Sequence, residues 1–203
     1  MFKKITGVLL AGGESRRMGR DKSGIEVDGV TTAERTIAAF RLLFADVFAV
    51  SKTTGRFAGF GCREVADIFD EMGAMVGVLT ALKEAKTDYI FVAACDMPFI
   101  DKAVVELIVS KGTGFRAALP LISGKGDPLH ALYGRDCFDD MLVFMQKEGR
   151  SLNRFIESLP GSQVRYVSED EIREVDKEAL SLFNMNTPED LEKARKLSDR
   201  SPK

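Results

Sequence analysis

The sequence predicts an α/β fold in which helices cover a mainly parallel central sheet. Three observations carry that prediction. Short β-rich runs alternate with helical patterns along almost the whole chain, the signature of consecutive βαβ units. Several of the runs are apolar on both alternating faces, as strands covered on two sides require. No internal repeat, low-complexity tract or Pro/Ser-rich linker divides the 203 residues. One domain over residues 1–197 is therefore expected, with SDRSPK at 198–203 as a frayed, disordered tail.

The first strand is ITGVLL, residues 5–10, and it ends on a glycine turn. Thr31 and Glu34 read as a capping box ahead of a helix whose inner face carries Ile37, Phe40 and Leu43. DVFAVS and CREVA follow as strands, then DYIFVAAC as a central one. Asp101 is placed to cap a helix carrying Val104, Val105 and Ile108. FRAALPLI and PLHALYG are the next strands, and Asp136 is placed to cap a helix carrying Phe138, Met141, Leu142 and Met145. QVRYV is a further strand, the acidic stretch SEDEIREVDKEA reads as a solvated connection, and LSLFNMN reads as the last strand. Thr187, Pro188 and Asp190 then open the final helix with an N-cap, a first-turn proline and a first-turn acid.

Composition excludes several classes of function. With 29 basic and 31 acidic side chains the net charge is -2, so no long-range field draws the chain to a nucleic acid. The three cysteines, Cys62, Cys95 and Cys137, are far apart and form no CxxC pair, which fits a reducing cytoplasm better than a disulfide framework or a zinc site. His130 is the single histidine, so multi-histidine metal sites are excluded and a catalytic triad has one possible base. Lys3 and Lys4 ahead of an apolar run imitate a secretory leader, but Thr6 and Gly7 interrupt it and no small-residue cleavage pattern precedes the charges. The next long apolar stretch, IAAFRLLFADVFAV, is broken by Arg41 and Asp46, so no membrane span and no membrane partner are expected.

The chemistry begins where the first strand ends, in LLAGGESRRMGRDK. A strand, a glycine turn and a helix start present free backbone N–H groups to an anion. Neither GxGxxG nor GxxxxGK[ST] can be written here, so the stretch matches neither dinucleotide-binding nor P-loop spacing. Amides at Gly12 and Gly13 with cations at Arg16 and Lys22 suit a polyphosphate lying along the loop. A tight turn with solvated arginines uses the same glycines.

LLAGGESRRMGRDK resembles the signature loop of the MobA-like nucleotidyltransferases, the family that includes the molybdenum cofactor guanylyltransferases. DYIFVAACDMPFID resembles the family's strand ending in a metal-binding aspartate, GDPLHALY its mid-chain segment, and NMNTPEDLEKA its closing asparagine and helix-cap motif. These segments fall in the family's order over most of the chain. The resemblance implies a Rossmann-like three-layer α/β/α nucleotidyltransferase fold. It also implies transfer of GMP from GTP to the phosphate of molybdopterin, with release of pyrophosphate. Leu10, Ala11, Gly12 and Gly13 would contact the nucleotide and Lys22 would hold its phosphates. Asp67 would be a nucleotide contact, Asp96 the Mg²⁺ ligand, and Asn184 and Asn186 would lie on the pterin and phosphate side. Partners would be GTP and molybdopterin, with other cofactor-biosynthesis proteins and acceptor molybdoenzymes beyond them.

These residue types suit that reaction. The attacking phosphate monoester has a second pKa near about 6 and is already ionised at neutral pH, so no strong general base is needed. What is needed is neutralisation between two anions and in-line positioning, tasks for Mg²⁺, Lys22 and Arg16. Asp96 closes a central strand, where ligands of open α/β sheets gather, and magnesium commonly takes one or two carboxylates beside substrate phosphates. The other reading of Asp96 is a helix cap before Met97 and Pro98. Asn184 and Asn186 flank Met185 and share one side of an extended chain; turn chemistry before Thr187 is their alternative. His130 and Cys95 read as structural, and Arg150, Ser151 and Arg154 as either a basic edge or a capped surface helix.

The chain departs from the family pattern in two places. GAMVG at residues 73–77 stands where the family usually has GPLAG, keeping Gly73 and Gly77, whose backbone can approach a base. Ser51, Lys52 and Thr53 stand where an asparagine is usual. Related cytidylyltransferases tend to read LAAG in the loop, so Gly12 favours a purine, although one methyl discriminates by only about 1 to 3 kcal/mol. Transfer from CTP, transfer to a sugar or alcohol phosphate, and a non-catalytic nucleotide-binding module are the competing readings.

Overall fold

The computed structural model describes residues 1–11, 24–69, 71 and 73–198. In chain order its elements are β1 (Phe2–Leu10), β2 (Glu26–Val27), β3 (Val30–Thr31), α1 (Thr32–Leu43), β4 (Phe44–Ser51), β5 (Arg63–Ala66), α2 (Ala74–Glu84), β6 (Tyr89–Ala94) and α3 (Lys102–Gly112). There follow β7 (Ala117–Ile122), β8 (Lys125–Gly126), β9 (His130–Gly134), α4 (Cys137–Glu148), α5 (Leu152–Ser158), β10 (Val164–Ser168), α6 (Glu169–Arg173) and α7 (Pro188–Ser198). The main sheet runs β10, β7, β9, β6, β1, β4, β5, with β8 on β7; β2 and β3 form a separate ribbon. β1 is parallel to β4 and β6, β4 to β5, and β7 to β10, whereas β9 runs antiparallel between β6 and β7.

The sheet is covered on both faces because its strands alternate two apolar sets. Ile90, Val92, Ala117, Leu119, Ala131 and Tyr133 face a core built with α2, α4 and α5. Phe91, Ala93, Ala118 and Leu132 face the opposite core, built with α1 and α3. The result is the expected three-layer α/β/α sandwich. Gly7, which interrupts the apolar run of β1, leaves room for two rings: a Cβ there would lie 2.6 Å from Phe44 Cδ2 and 2.9 Å from Phe40 Cδ2.

The capping signals act with one exception. Thr31 Oγ1 accepts from Glu34 N–H at 3.1 Å, and Asp101 Oδ1 from Ala103 N–H at 2.6 Å. Thr187 Oγ1 accepts from Asp190 N–H at 3.1 Å while Asp190 Oδ2 takes the Asn186 and Thr187 N–H groups. Asp136 occupies the N-cap of α4 but makes no cap hydrogen bond, because its carboxylate pairs with Arg116 Nε at 3.3 Å.

Two expectations are corrected. LSLFNMN is not a strand: Leu180–Leu182 form a 3₁₀ turn, and the following residues join no ladder. One backbone bond ties this segment to the sheet, from Met185 N–H to Asp96 C=O at 2.9 Å. The acidic stretch is not wholly solvated, since it forms α6, with a capping box at Ser168 and Glu171 and a buried Ile172. Residues 199–203, the greater part of the expected tail, lie outside the described residues.

Candidate active site

β1 lies between β4 and β6, and successive crossovers leave it in opposite directions along the sheet. The carboxyl ends of these strands therefore frame the crevice in which open α/β sheets bind ligands. Pairing continues one residue past the strands: Ala11 N–H donates to Val50 C=O at 2.9 Å, and Cys95 N–H to Leu10 C=O at 3.1 Å. Leu10 and Ala11 are both buried, so backbone at the end of β1 is held from either side. Gly12, Gly13, Arg16 and Lys22 lie outside the described residues.

Asp96 stands at the centre of this edge. Its helix-cap alternative does not hold, because α3 starts at Lys102 and is capped by Asp101. The Cys95 carbonyl accepts from Thr32 Oγ1 and the Asp96 carbonyl from Met185, so backbone bonds fix the strand end on both sides of the carboxylate's residue. Among the described residues no group of three or more His, Cys, Asp or Glu side chains converges on a metal-sized site. A single carboxylate oxygen at a strand end still fits Mg²⁺, which keeps waters and takes substrate phosphates as further ligands.

Asp67 lies three strand spacings from Asp96, about 14 Å along the edge. Its N–H donates to Ser51 C=O at 3.0 Å, and its carboxylate accepts from Thr80 Oγ1 at 3.3 Å. Burial pushes its carboxyl above the usual carboxylate range, opposed by the Thr80 hydroxyl. Asp67 and Asp96 are thus on one edge but not in contact.

Gly73 is the N-cap of α2 at φ 142, ψ 163, a conformation open to glycine, and a Cβ there would meet nothing within 4 Å. Gly77, one turn on, brings α2 close to the sheet: its Cβ would lie 3.2 Å from Leu10 Cδ2. Of the departures from GPLAG, the lost proline falls on Ala74, the first helical residue, where proline is best tolerated. Ala74→Pro is accordingly expected to stabilise the protein by about 0.4–1 kcal/mol in urea denaturation, by restricting the unfolded chain.

Asn184 and Asn186 flank Met185, which is 0% exposed in a small core with Ile25, Val27 and Ala194. Asn184 Nδ2 donates to Asp127 Oδ2 at 3.3 Å, and Asn186 is exposed. His130 is fully buried in β9 with its ring edge-on to Phe91, so it is structural. Cys95 is half-buried beside the core of Leu9, Ala33 and Phe57. Ser151 caps α5 through its hydroxyl and Arg154 reaches Glu148, the surface-helix reading.

Two residues of this edge were not singled out in the sequence. Arg56 Nη1 donates to Ala11 C=O at 3.2 Å, from a loop held by Glu64, whose carboxylate accepts the N–H groups of Gly55, Arg56 and Phe57, each at 2.9 Å. Nothing local in RFAGF announces that reach. Asp127, before a proline in GDPLHALY, reads as turn chemistry until its contact with Asn184 is seen.

Residues 7–164 match the model of the MobA-like NTP transferase domain. A molybdenum cofactor guanylyltransferase of Desulfosudis oleivorans is 32% identical over 192 residues, covering 94% of each chain. A probable molybdenum cofactor guanylyltransferase of Pelotomaculum thermopropionicum is 32% identical over 198 residues, covering 98% of this chain and 95% of that one. The crystal structure of molybdopterin-guanine dinucleotide biosynthesis protein A from Archaeoglobus fulgidus superposes with a TM-score of 0.83 at 25% identity, over 97% of this chain and all of that one. Sheet order, crevice and sequence agree, and the chain belongs to the MobA-like NTP transferase family.

Proposed function

We propose that the protein transfers GMP from GTP to the phosphate of molybdopterin, releasing pyrophosphate, in a Mg²⁺-dependent reaction in the cytoplasm. The observation that carries this reading is the likeness, over nearly the whole of both chains, to proteins named molybdenum cofactor guanylyltransferase. In the reaction an oxygen of the molybdopterin phosphate attacks the α-phosphorus of GTP, a P–O bond forms, and the bond to the pyrophosphate leaving group breaks. The attacking oxygen is already ionised, which agrees with a fold whose sole histidine is 0% exposed and out of reach as a base.

The residues divide the work along the edge of the sheet. Leu10, Ala11, Gly12 and Gly13 supply backbone to the nucleotide, Gly73 lets backbone approach the base, and the Asp67 carboxylate accepts N–H donors of guanine. Lys22 and Arg16 neutralise phosphate charge, where such cations act most strongly once water is excluded. Asp96 would hold Mg²⁺, which when bound draws charge from the α-phosphate and the departing pyrophosphate. Asn184 and Asn186 face the acceptor. The product would pass to other cofactor-biosynthesis proteins or to acceptor molybdoenzymes. Among the described residues no helix is long and apolar enough to cross a membrane.

Pyrophosphate release measured with GTP, CTP, ATP and UTP in turn, with molybdopterin and Mg²⁺ present, tests the proposal. Release confined to GTP is expected. Release with CTP instead would keep the chemistry and overturn the choice of base, and GTP binding without turnover would mean a nucleotide-binding module.

A further inference from the structure

We propose that Asp127 is a positioning residue that closes a ring of hydrogen bonds and thereby sets Asn184 against Asp96. The inference rests on the reading above, that this end of the sheet receives the acceptor. The ring can be followed contact by contact. Asp96 C=O accepts from Met185 N–H at 2.9 Å, and Met185 is bonded in the chain to Asn184. Asn184 Nδ2 donates to Asp127 Oδ2 at 3.3 Å, across 57 residues of sequence. Asp127 Oδ1 accepts from Leu129 N–H at 3.0 Å, and Leu129 C=O accepts from Ala94 N–H at 3.0 Å. Ala94 leads through Cys95 back to Asp96.

A local turn accounts for only half of what Asp127 does. An aspartate that accepts from the N–H two residues on uses one oxygen. The second oxygen reaches the far end of the chain, to a segment that no strand ladder holds. An ionised carboxylate is an acceptor only, so the amide nitrogen of Asn184, not its oxygen, must face Asp127. That fixes the amide's orientation and turns its carbonyl oxygen away from the pair. Burial pushes the Asp127 carboxyl upward, opposed by the same two hydrogen bonds, from Leu129 and Asn184.

Asp127→Asn tests the proposal. Its side-chain oxygen still satisfies Leu129 N–H, so the turn survives, but its amide nitrogen is a donor, so the Asn184 amide must turn over to offer its oxygen, and the carbonyl no longer faces away from the pair. The expected result is a fall in kcat/KM for molybdopterin of roughly tenfold or more, with GTP affinity unchanged. The exchanged pair, Asp127→Asn with Asn184→Asp, restores an amide donor facing a carboxylate and is expected to recover part of the loss. Parental kinetics with molybdopterin in Asp127→Asn, or an equal loss of GTP affinity, would overturn the proposal. If the parent does not turn over at all, the functional reading fails while the ring is still tested by ¹⁵N–¹H spectra of the Asn184 side-chain amide. A resonance that exchanges slowly and moves in Asp127→Asn supports the ring, and one that exchanges as in an exposed asparagine and does not move refutes it.

Discussion

Asp96→Ala is expected to lower pyrophosphate release from GTP and molybdopterin by roughly 10³-fold or more, the scale seen when a charge-stabilising group is removed from a transition state. The melting temperature and circular dichroism should stay near the parent's. The separation follows from which atoms do what: Met185 N–H is tied to the Asp96 carbonyl, which alanine keeps, and the neighbouring bonds, from Cys95 N–H to Leu10 C=O and from Thr32 Oγ1 to Cys95 C=O, involve the Cys95 backbone. The variant loses the anionic oxygens proposed to hold Mg²⁺. Stopped-time assays across a Mg²⁺ titration check this, and a parental rate in the variant would remove Asp96 from the reaction.

The second large effect is on stability. His130 lies fully buried in β9, against Phe91, and neither ring nitrogen has a hydrogen-bond partner among the described residues. Burial lowers its pKa to about 4, opposed in part by the negative charge of Asp101. Between about pH 6.5 and pH 4 the unfolded chain holds a proton on this ring that the folded chain does not. Stability therefore falls with acidification through that window and is fully present above it. The loss by pH 4 is about 3 kcal/mol from this one residue. Urea denaturation at a series of pH values should show that slope in the parent and its absence in His130→Leu. Asp67 and Asp127, whose carboxyls burial raises, act in the opposite direction at the acid end, and both proteins share them. Equal slopes in the two proteins would assign the acid sensitivity to other groups.

Strand order in the chain was legible because β6, β7 and β9 are apolar on both faces, and their two cores are the physical cause of that pattern. Helix starts were legible where a short polar side chain had no stronger partner. Asp136 stood in the right place, but Arg116 took its carboxylate, and a partner 20 positions away leaves no local mark. LSLFNMN had the composition of a strand, yet its hydrophobic residues are used elsewhere: Met185 packs on the β2–β3 ribbon and Phe183 against Phe99. The site divides in the same way. Leu10, Ala11, Asp67 and Asp96 were picked out by the motifs shared with the family, and each stands at or just beyond the end of a strand. Arg56 and Asp127 act at long range, and a residue before proline or within a loop carries no sign of its distant partner.

The position of β1 has a consequence for synthesis. Made before its partners, it pairs with β4 soon afterwards, but its other edge waits for β6, whose Phe91 is matched to Gly7 about eighty residues later. At about 5–20 residues per second of translation, that interval lasts several seconds. During it the nascent chain exposes a long apolar strand with unpaired backbone groups, the kind of edge that recruits other chains. Slow stretches of message between the codons for β4 and β6 would lengthen the hazard, as would crowded overexpression. Yield of folded protein should respond to translation speed across that interval more than to equally sized changes in the codons for α7.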